Sequence, residues 1–342
     1  MKPLYIINDL HISAIRVGGT LPSTAWQLRQ DLLQGFAELL GRCDSDVAIN
    51  GDFADDYRMI AADILKAHEI ISAWMVKGHK LYALPGNHCL SKSSLDLSSF
   101  EFLFRLLAEQ FPEQVVLMME PGQLCDGVYA IPHVPNQSLM DLELGRVPDG
   151  TEYLLLHANF NNVFAKNSDH SLDVSESQID ALNIKHAVFG HEHVQRSEMG
   201  GKVVVVGNQL ISSISDCLNN KTKRMAKITD DGIEFIDTWT AEGDYAEIDW
   251  RELEDTGARF IRAVGTATAE EAEQVVSAIS RFRKDSKALI VGNAVRVAGV
   301  NDQDELVLTH EALTTFNVRE ALRELLTDDE NKKIDELEQT CA

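Results

Sequence analysis

Ile184-Lys185-His186-Ala187-Val188-Phe189-Gly190-His191-Glu192-His193 reads as an apolar strand that runs into a glycine turn carrying two histidines. Two neutral imidazoles at i and i+2 after a buried strand can face one cavity and ligate two neighbouring divalent ions. A lone H-x-H is more often coincidence than a metal site, so its meaning depends on what other strand ends carry.

The first strand, Leu4 to Ile7, leads into Asn8-Asp9-Leu10-His11, where Asp9 and His11 fall on one side of an extended chain. An amphipathic helix follows, with Thr24 and Gln27 at capping-box spacing and Trp26, Leu33, Phe36 and Leu40 at helical period. The strand Asp46 to Ile49 then delivers Asn50-Gly51-Asp52-Phe53-Ala54-Asp55-Asp56, in which the glycine lets the chain turn and hold Asp52 over the sheet edge. A second helix presents Ile60, Ile64, Ala67, Ile71 and Met75, and the strand Lys80 to Leu84 ends at Pro85-Gly86-Asn87-His88. This alternation predicts an α/β fold with a right-handed parallel layer. A helix is expected from Asp96 to Phe111 and short strands between Val115 and Pro135, where no spacing rule ties His133 to the other residues. Glu152 to Leu156 ends at His157, a short helix near Ser175 to Leu182 follows, and Lys202 to Val206 leads to a further turn at Gly207-Asn208.

The collected strand-end residues are Asp9, His11, Asp52, Asn87, His88, His157, His191 and His193. Oxygen donors mixed with imidazoles suit Mn²⁺, Fe²⁺ or Zn²⁺ rather than a thiolate site. The set divides into Asp9, His11 and His193 on one ion, Asn87, His157 and His191 on the other, with Asp52 between. His88 is left over beside the ligands, placed to give a proton to a leaving alkoxide as general acid. Asp55 could orient His88 as a carboxylate-imidazole pair.

Length and composition bound the rest. The 342 residues exceed one ordinary core, and 44% hydrophobic with 25% charged residues is ordinary for globular proteins. Lys plus Arg total 31 against 54 Asp plus Glu, a net charge of −23 that weakens non-specific attraction to nucleic acid. Bound divalent ions supply local positive charge, so acidity does not exclude a metal-dependent nuclease. Cys43, Cys89, Cys125, Cys217 and Cys341 are widely spaced and form no C-x-x-C, which reads as reduced thiols. No run approaches the ~20 apolar residues of a membrane span and no signal-peptide pattern is visible, so a cytoplasmic protein without membrane attachment is expected.

Acidic residues cluster between Thr240 and Asp255, and the earlier pattern ends there. A strand within Gly257 to Gly265, a helix capped by Thr268 and Glu271 and carrying Ala272, Val275, Ile279 and Phe282, and a strand Leu289 to Val297 form a small β-α-β module. Asn317 and Glu320 then cap a helix with Val318, Ala321, Leu322 and Leu325 in a stripe, which packs on its own domain or docks on a partner. The expected division is a catalytic domain at 1–240, a smaller domain at 245–300 and a helical segment at 310–342.

In order, D-x-H, G-D, G-N-H, a strand-final His and G-H-x-H resemble the calcineurin-like metallophosphoesterase superfamily over residues 1–240. The resemblance implies a β-sandwich flanked by helices and the metal roles given above. Protein phosphatases of that superfamily show G-D-x-x-D-R-G and G-N-H-E, whereas this chain has Gly51-Asp52-Phe53-Ala54-Asp55-Asp56 and Cys89. Ala258-Arg259-Phe260-Ile261-Arg262 and Asn293-Ala294-Val295-Arg296-Val297 look like the α+β capping domain of the Mre11/SbcD nuclease family, here possessed by a chain whose length and acidity suit a bacterial or bacteriophage member. That family usually has G-N-H-D and a histidine where Asp55 stands. The resemblance implies a dimetal DNA nuclease, with 3′-to-5′ exonuclease and single-strand endonuclease activity and Mn²⁺ as the ion of first choice. It also implies a homodimer, and a C-terminal helical segment that grips an SMC-like coiled-coil ATPase of the Rad50/SbcC type in DNA repair, recombination or phage DNA processing. Arg16, Lys92, Arg259, Arg262, Arg283, Lys284 and Arg296 are the basic candidates for DNA contact. The alternatives are a phosphodiesterase for small substrates such as cyclic nucleotides and a non-catalytic DNA-end adaptor.

Overall fold

Leu4, Tyr5, Ile6 and Ile7 are all buried, which a strand achieves only when both of its faces are covered. The computed structural model describes residues 2–14, 17–91, 96–162 and 172–298 and shows what covers them. The first half carries β1 (Leu4–Ile7), α1 (Pro22–Arg42), β2 (Asp46–Asn50), α2 (Ala61–Met75), β3 (Leu81–Leu84), α3 (Ser99–Gln110), β4 (Val115–Leu117), β5 (Gly122–Cys125), β6 (Val128–Ile131), α4 (Gln137–Leu144) and β7 (Tyr153–His157). It continues through β8 (Asn159–Phe160), β9 (Asp173–Val174), α5 (Glu176–Asp180), β10 (His186–Gly190), β11 (Arg196–Glu198), β12 (Val203–Val205), α6 (Ile214–Asn219), β13 (Thr222–Thr229) and β14 (Gly232–Thr240). The last described stretch holds β15 (Tyr245–Asp249), β16 (Phe260–Val264), β17 (Thr266–Thr268), α7 (Ala272–Asp285), β18 (Ile290–Asn293) and β19 (Arg296–Ala298).

Two six-stranded mixed sheets run β14-β13-β1-β2-β3-β4 and β11-β12-β10-β7-β6-β5. Strands β1 to β4 pair parallel, as do β6, β7, β10 and β12. Alternation along β1 sends Leu4 and Ile6 into the core between the sheets, with Leu84, Val128, Leu155 and Val188. Tyr5 and Ile7 face the other way, onto a core with Leu33 and Phe36 of α1, Ile71 of α2 and Phe104 of α3. The second sheet is covered outside by Met140 of α4 and Ile179 of α5. The architecture is therefore a two-sheet sandwich flanked by helices, an α/β fold as the resemblance implies.

Several expectations shift. Thr24 does not open α1; the helix starts at Pro22, where the missing N–H costs nothing, and Thr24 bonds back to Leu21 from the first turn. Trp26 stands on its exposed side. The hairpin β13-β14, unread in the sequence, adds antiparallel to β1 and closes that edge. Beyond it, the parallel sheet β15-β16-β18 and α7 enclose a separate cluster around Ile261, Val275 and Ile279, while Phe260, Leu289 and Ile290 join the core under α1. The expected Leu289 to Val297 strand is two strands, β18 and β19, in different sheets. The segment 310–342 lies outside the described residues. No helix among the described residues is long and apolar enough to cross a membrane, and Cys43, Cys89, Cys125 and Cys217 are free thiols.

Phe53 follows Asp52 directly, is fully buried, and packs edge-on against Phe36 and Phe104 at ring separations of 5.3 and 5.4 Å. Phe53→Ala is expected to cost about 3–5 kcal/mol of unfolding free energy in urea titration. A loss below about 1 kcal/mol would contradict this packing.

Candidate metal centre

The ligand candidates sit where parallel strands of the two sheets end side by side. Asp9 and His11 leave β1, Asp52 leaves β2, Asn87 and His88 leave β3, His157 closes β7, and His191 and His193 follow β10, whose Gly190 pairs with His157. Asp9, His11, Asp52 and His191 all hold positive φ, from 41° to 87°, a region that costs non-glycine residues about 1–3 kcal/mol each. The first two loops restrain one another: His11 N–H donates to Asp52 O at 3.1 Å, Ile12 N–H to Phe53 O at 2.8 Å and Asp55 N–H to Ile12 O at 3.1 Å.

Two groups of donors result. Asp9, His11 and His193 form one, and Asp52, His157 and His191 the other, with the donor atoms of each group within 4.8 Å of one another. Asn87 Oδ1 lies 3.0 Å from His191 Nδ1 and 3.2 Å from His157 Nε2, so it belongs with the second group. Asp52 Oδ2 approaches His157 Nε2 at 3.3 Å, while its Oδ1 accepts from His88 N–H at 2.9 Å. The structure thus brings together every metal-ligand candidate read from the sequence.

The donor chemistry fits cations. His157 Nδ1 points at the Asn50 carbonyl, 3.0 Å away, and donates its proton there. Its Nε2 lone pair then faces two further acceptors, Asp52 Oδ2 and Asn87 Oδ1. His11 and His193 meet nitrogen to nitrogen, Nε2 to Nε2, at 3.0 Å. Acceptors converging this way need a positive charge between them, either protons or metal ions. The pKa shifts show the proton alternative. Burial opposes a cation at His157, but the Asp52 carboxylate raises its pKa. Burial also opposes one at His11, yet Asp55, Asp52 and Asp9 push it up to about 9. His191, half-buried and beside His157, is held down to about 4 by desolvation and by that neighbour.

Glycines make the close approach possible. A Cβ on Gly51, at φ 91°, would lie 1.8 Å from His157 Nδ1, and one on Gly86 2.2 Å from Asp52 Oδ1. Glu192, between the two histidines, is turned aside: it accepts from Phe160 N–H at 2.7 Å and from Arg196 at 2.8 Å, pinning the turn.

Other assignments change. His88 Nδ1 lies 2.7 Å from the backbone carbonyl of Asp55, while the Asp55 carboxylate sits 3.4 Å from His11 Nδ1. Asp55 therefore orients His88 through its main chain, and its side chain serves His11. The exposed His88 ring stands edge-on to His11 at 5.2 Å. Cys89 is buried and its thiol pushed up to about 12 by burial, so it offers no ionised side chain to the site. Arg259 is engaged by Asp244 and Asp31, Arg262 bonds Glu247 at 2.9 Å, and Arg283 donates to Val291 O at 2.7 Å, so each has a partner within the chain. Arg296 is exposed on β19, and Arg16 and Lys92 lie outside the described residues. One neighbour, Asp216, escaped the sequence reading, and another, His133, was named there without a rule tying it to the site. His133 lies with its ring 6.4 Å from His157, its pKa lowered to about 3 by burial and by that neighbour. Asp216 receives His193 Nδ1 at 2.8 Å. The Ser213-x-x-Asp216 capping-box spacing was the available signal for Asp216; His133 had none.

The chain belongs to the calcineurin-like phosphoesterase family, whose sequence profile it matches over residues 2–195. It is accordingly a metal-dependent hydrolase of a class that uses divalent ions. Among solved structures it is similar to TT1561 of Thermus thermophilus, at 12% identity and a TM-score of 0.42 over 70% of this chain and 99% of that one. It is also similar to the cold-active protein-tyrosine phosphatase of a psychrophile, Shewanella sp., at 11% identity and a TM-score of 0.37 over 70% and 81% of the two chains. No curated protein matches it.

Gly86→Ala is expected to abolish uptake of two Mn²⁺ ions in calorimetric titration, whereas Gly41→Ala, where the added methyl meets nothing within 4 Å, leaves it intact. Metal uptake also displaces the His11 proton. A ligating imidazole must be neutral, so affinity should rise with pH below about 9 and level off above it. Titrations at pH 7 in buffers of different ionisation enthalpy should register proton release; none would contradict the His11 assignment.

Proposed function

We propose that this chain is a dimetal DNA nuclease subunit of the Mre11/SbcD type, with 3′-to-5′ exonuclease and single-strand endonuclease action. The observation that carries the reading is His88: an exposed imidazole with one nitrogen anchored, beside two complete ligand groups. Mn²⁺ is the proposed ion. When bound, the two ions polarise the phosphoryl group and acidify water. Asp9, His11 and His193 would hold one ion, Asn87, His157 and His191 the other, and Asp52 would be shared. The Asp55 carbonyl favours the His88 tautomer with its proton on Nδ1. A His88 imidazolium therefore gives its Nε2 proton to the leaving alkoxide and returns to the tautomer that the carbonyl holds.

Supporting a polymeric substrate, residues 245–298 form an appended layer that touches the segment before α1, with Val291 N–H donating to Gly19 O at 3.0 Å. A small phosphodiester needs no such extra surface. The proposal includes the division into 1–240, 245–300 and 310–342, a homodimer, and an SMC-like ATPase of the Rad50/SbcC type gripped by the last segment. A phosphodiesterase for small substrates is the second reading, favoured by the internal pairing of Arg259 and Arg262, which leaves fewer free cations for a DNA backbone.

With Mn²⁺, the purified protein should degrade linear duplex and cut circular single strands. Intact DNA alongside hydrolysis of bis(p-nitrophenyl) phosphate would overturn the nuclease reading in favour of the second. His88→Ala should lower turnover about 10²- to 10⁴-fold while both ions still bind in calorimetry. Full activity in that variant would remove His88 from the mechanism.

A further inference from the structure

His193 has a single side-chain partner at Nδ1: Oδ1 of Asp216, 2.8 Å away, on a carboxylate whose side chain is 1% exposed. The second oxygen, Oδ2, accepts from Ser212 N–H at 3.0 Å, Ser213 N–H at 2.9 Å and the Ser212 hydroxyl at 3.1 Å. Three donors converge on Oδ2, so the carboxyl group meets the ring through Oδ1 as an acceptor, and Nδ1 of His193 carries the ring proton. Nε2 is then the lone pair, and it is Nε2 that faces His11 in the Asp9 group. The other ligand group is oriented separately, His157 by the Asn50 carbonyl.

We infer that Asp216 is a positioning residue that selects the ligating tautomer of His193, and does so for the ion held by Asp9, His11 and His193 alone. Its carrier, α6, is also where the C-terminal sheet rests: a Cβ on Gly292 of β18 would come 3.1 Å from Ile214. The inference rests on the dimetal reading proposed above and is independent of whether the substrate is DNA.

The tautomer argument makes an unusual ordering of variants. In Asp216→Asn, the three donors that converge on Oδ2 require an oxygen there, which turns the amide NH₂ toward His193 Nδ1. That nitrogen must then accept, its proton moves to Nε2, and the ligating lone pair is lost. In Asp216→Ala, Nδ1 is unconstrained and the correct tautomer remains accessible, though the three donors lose their partner. A residue with only a packing role would show the reverse, because Asn is isosteric and Ala leaves a cavity.

Wild type, Asp216→Asn and Asp216→Ala are titrated with Co²⁺ in the full chain, following absorption and heat, with thermal unfolding recorded in parallel. The expected result is that Asn weakens one of the two ions about 10- to 100-fold, the range for lost outer partners of a ligand, and more than Ala does, while Ala melts lower. The same single ion should be weakened by His193→Ala. Unchanged affinity in the Asn variant, equal weakening of both ions, or Ala weaker than Asn would overturn the inference. If Ala does not fold, Ser212→Ala takes its place, with a smaller selective weakening expected and none overturning it. Failure of the wild-type chain to bind two ions would instead sink the dimetal reading itself.

Discussion

Two carboxylates, Asp9 and Asp52, each 1% exposed, lie together in a pocket without a lysine or arginine partner among the described residues. Burying unpaired charge costs several kcal/mol per ion, and much of the surrounding structure answers that cost. Asp9 accepts from His191 N–H, and Asp52 from His88 N–H, so main-chain dipoles take part of the load. Imidazoles take the rest: the carboxylates raise the pKa of His11 and of His157 against the opposing effect of burial. Divalent ions replace protons there, so metal affinity, pH and stability are one linked equilibrium here.

The pocket is held by strands rather than by its own contacts. Four ligand candidates sit in left-handed backbone, which isolated loops would relax out of. They persist because the loops after β1 and β2 are cross-bonded and tethered to neighbouring strands of one parallel sheet, over a core that begins at Phe53. The second sheet brings His157 and the His191 turn to the same rim by pairing Gly190 with His157. Glycine at 51 and 86 removes the methyl groups that would keep the two sheets' ligands apart.

Much of this was legible in the sequence, because buried parallel strands are short apolar runs and the chemistry sits at their ends. Leu4–Ile7 was readable to the residue, and the strand-end donors gather into two groups, with Asp52 beside His157 and His191. What escaped depends on contacts between distant residues. Asp55 was assigned to His88 from its place in the motif, but the positive φ at Asp52 and the cross-bonding to Ile12 turn its carboxylate to His11 and leave its carbonyl for His88. Asp216 reaches His193 across 23 positions of chain, and only the local Ser-x-x-Asp spacing hinted at it. The β13-β14 hairpin was overlooked because β14 is a half-exposed edge strand without a continuous apolar run.

Arg259 shows most clearly why charge in a sequence does not announce its role. Read alone, an arginine on an appended domain is a candidate phosphate contact. In the structure it ties that layer to α1 through Asp31 and to the start of β15 through Asp244. The Arg259 side chain is 40% exposed, so these pairs contribute little to stability, on the order of 1 kcal/mol or less. What joins the layer to the sandwich is apolar: Phe260, Leu289 and Ile290 enter the core beneath α1. The arginine therefore fixes the orientation of an attachment that burial makes strong. With Arg259 paired internally and a net charge of −23, the chain's own charge gives little general attraction for an anion.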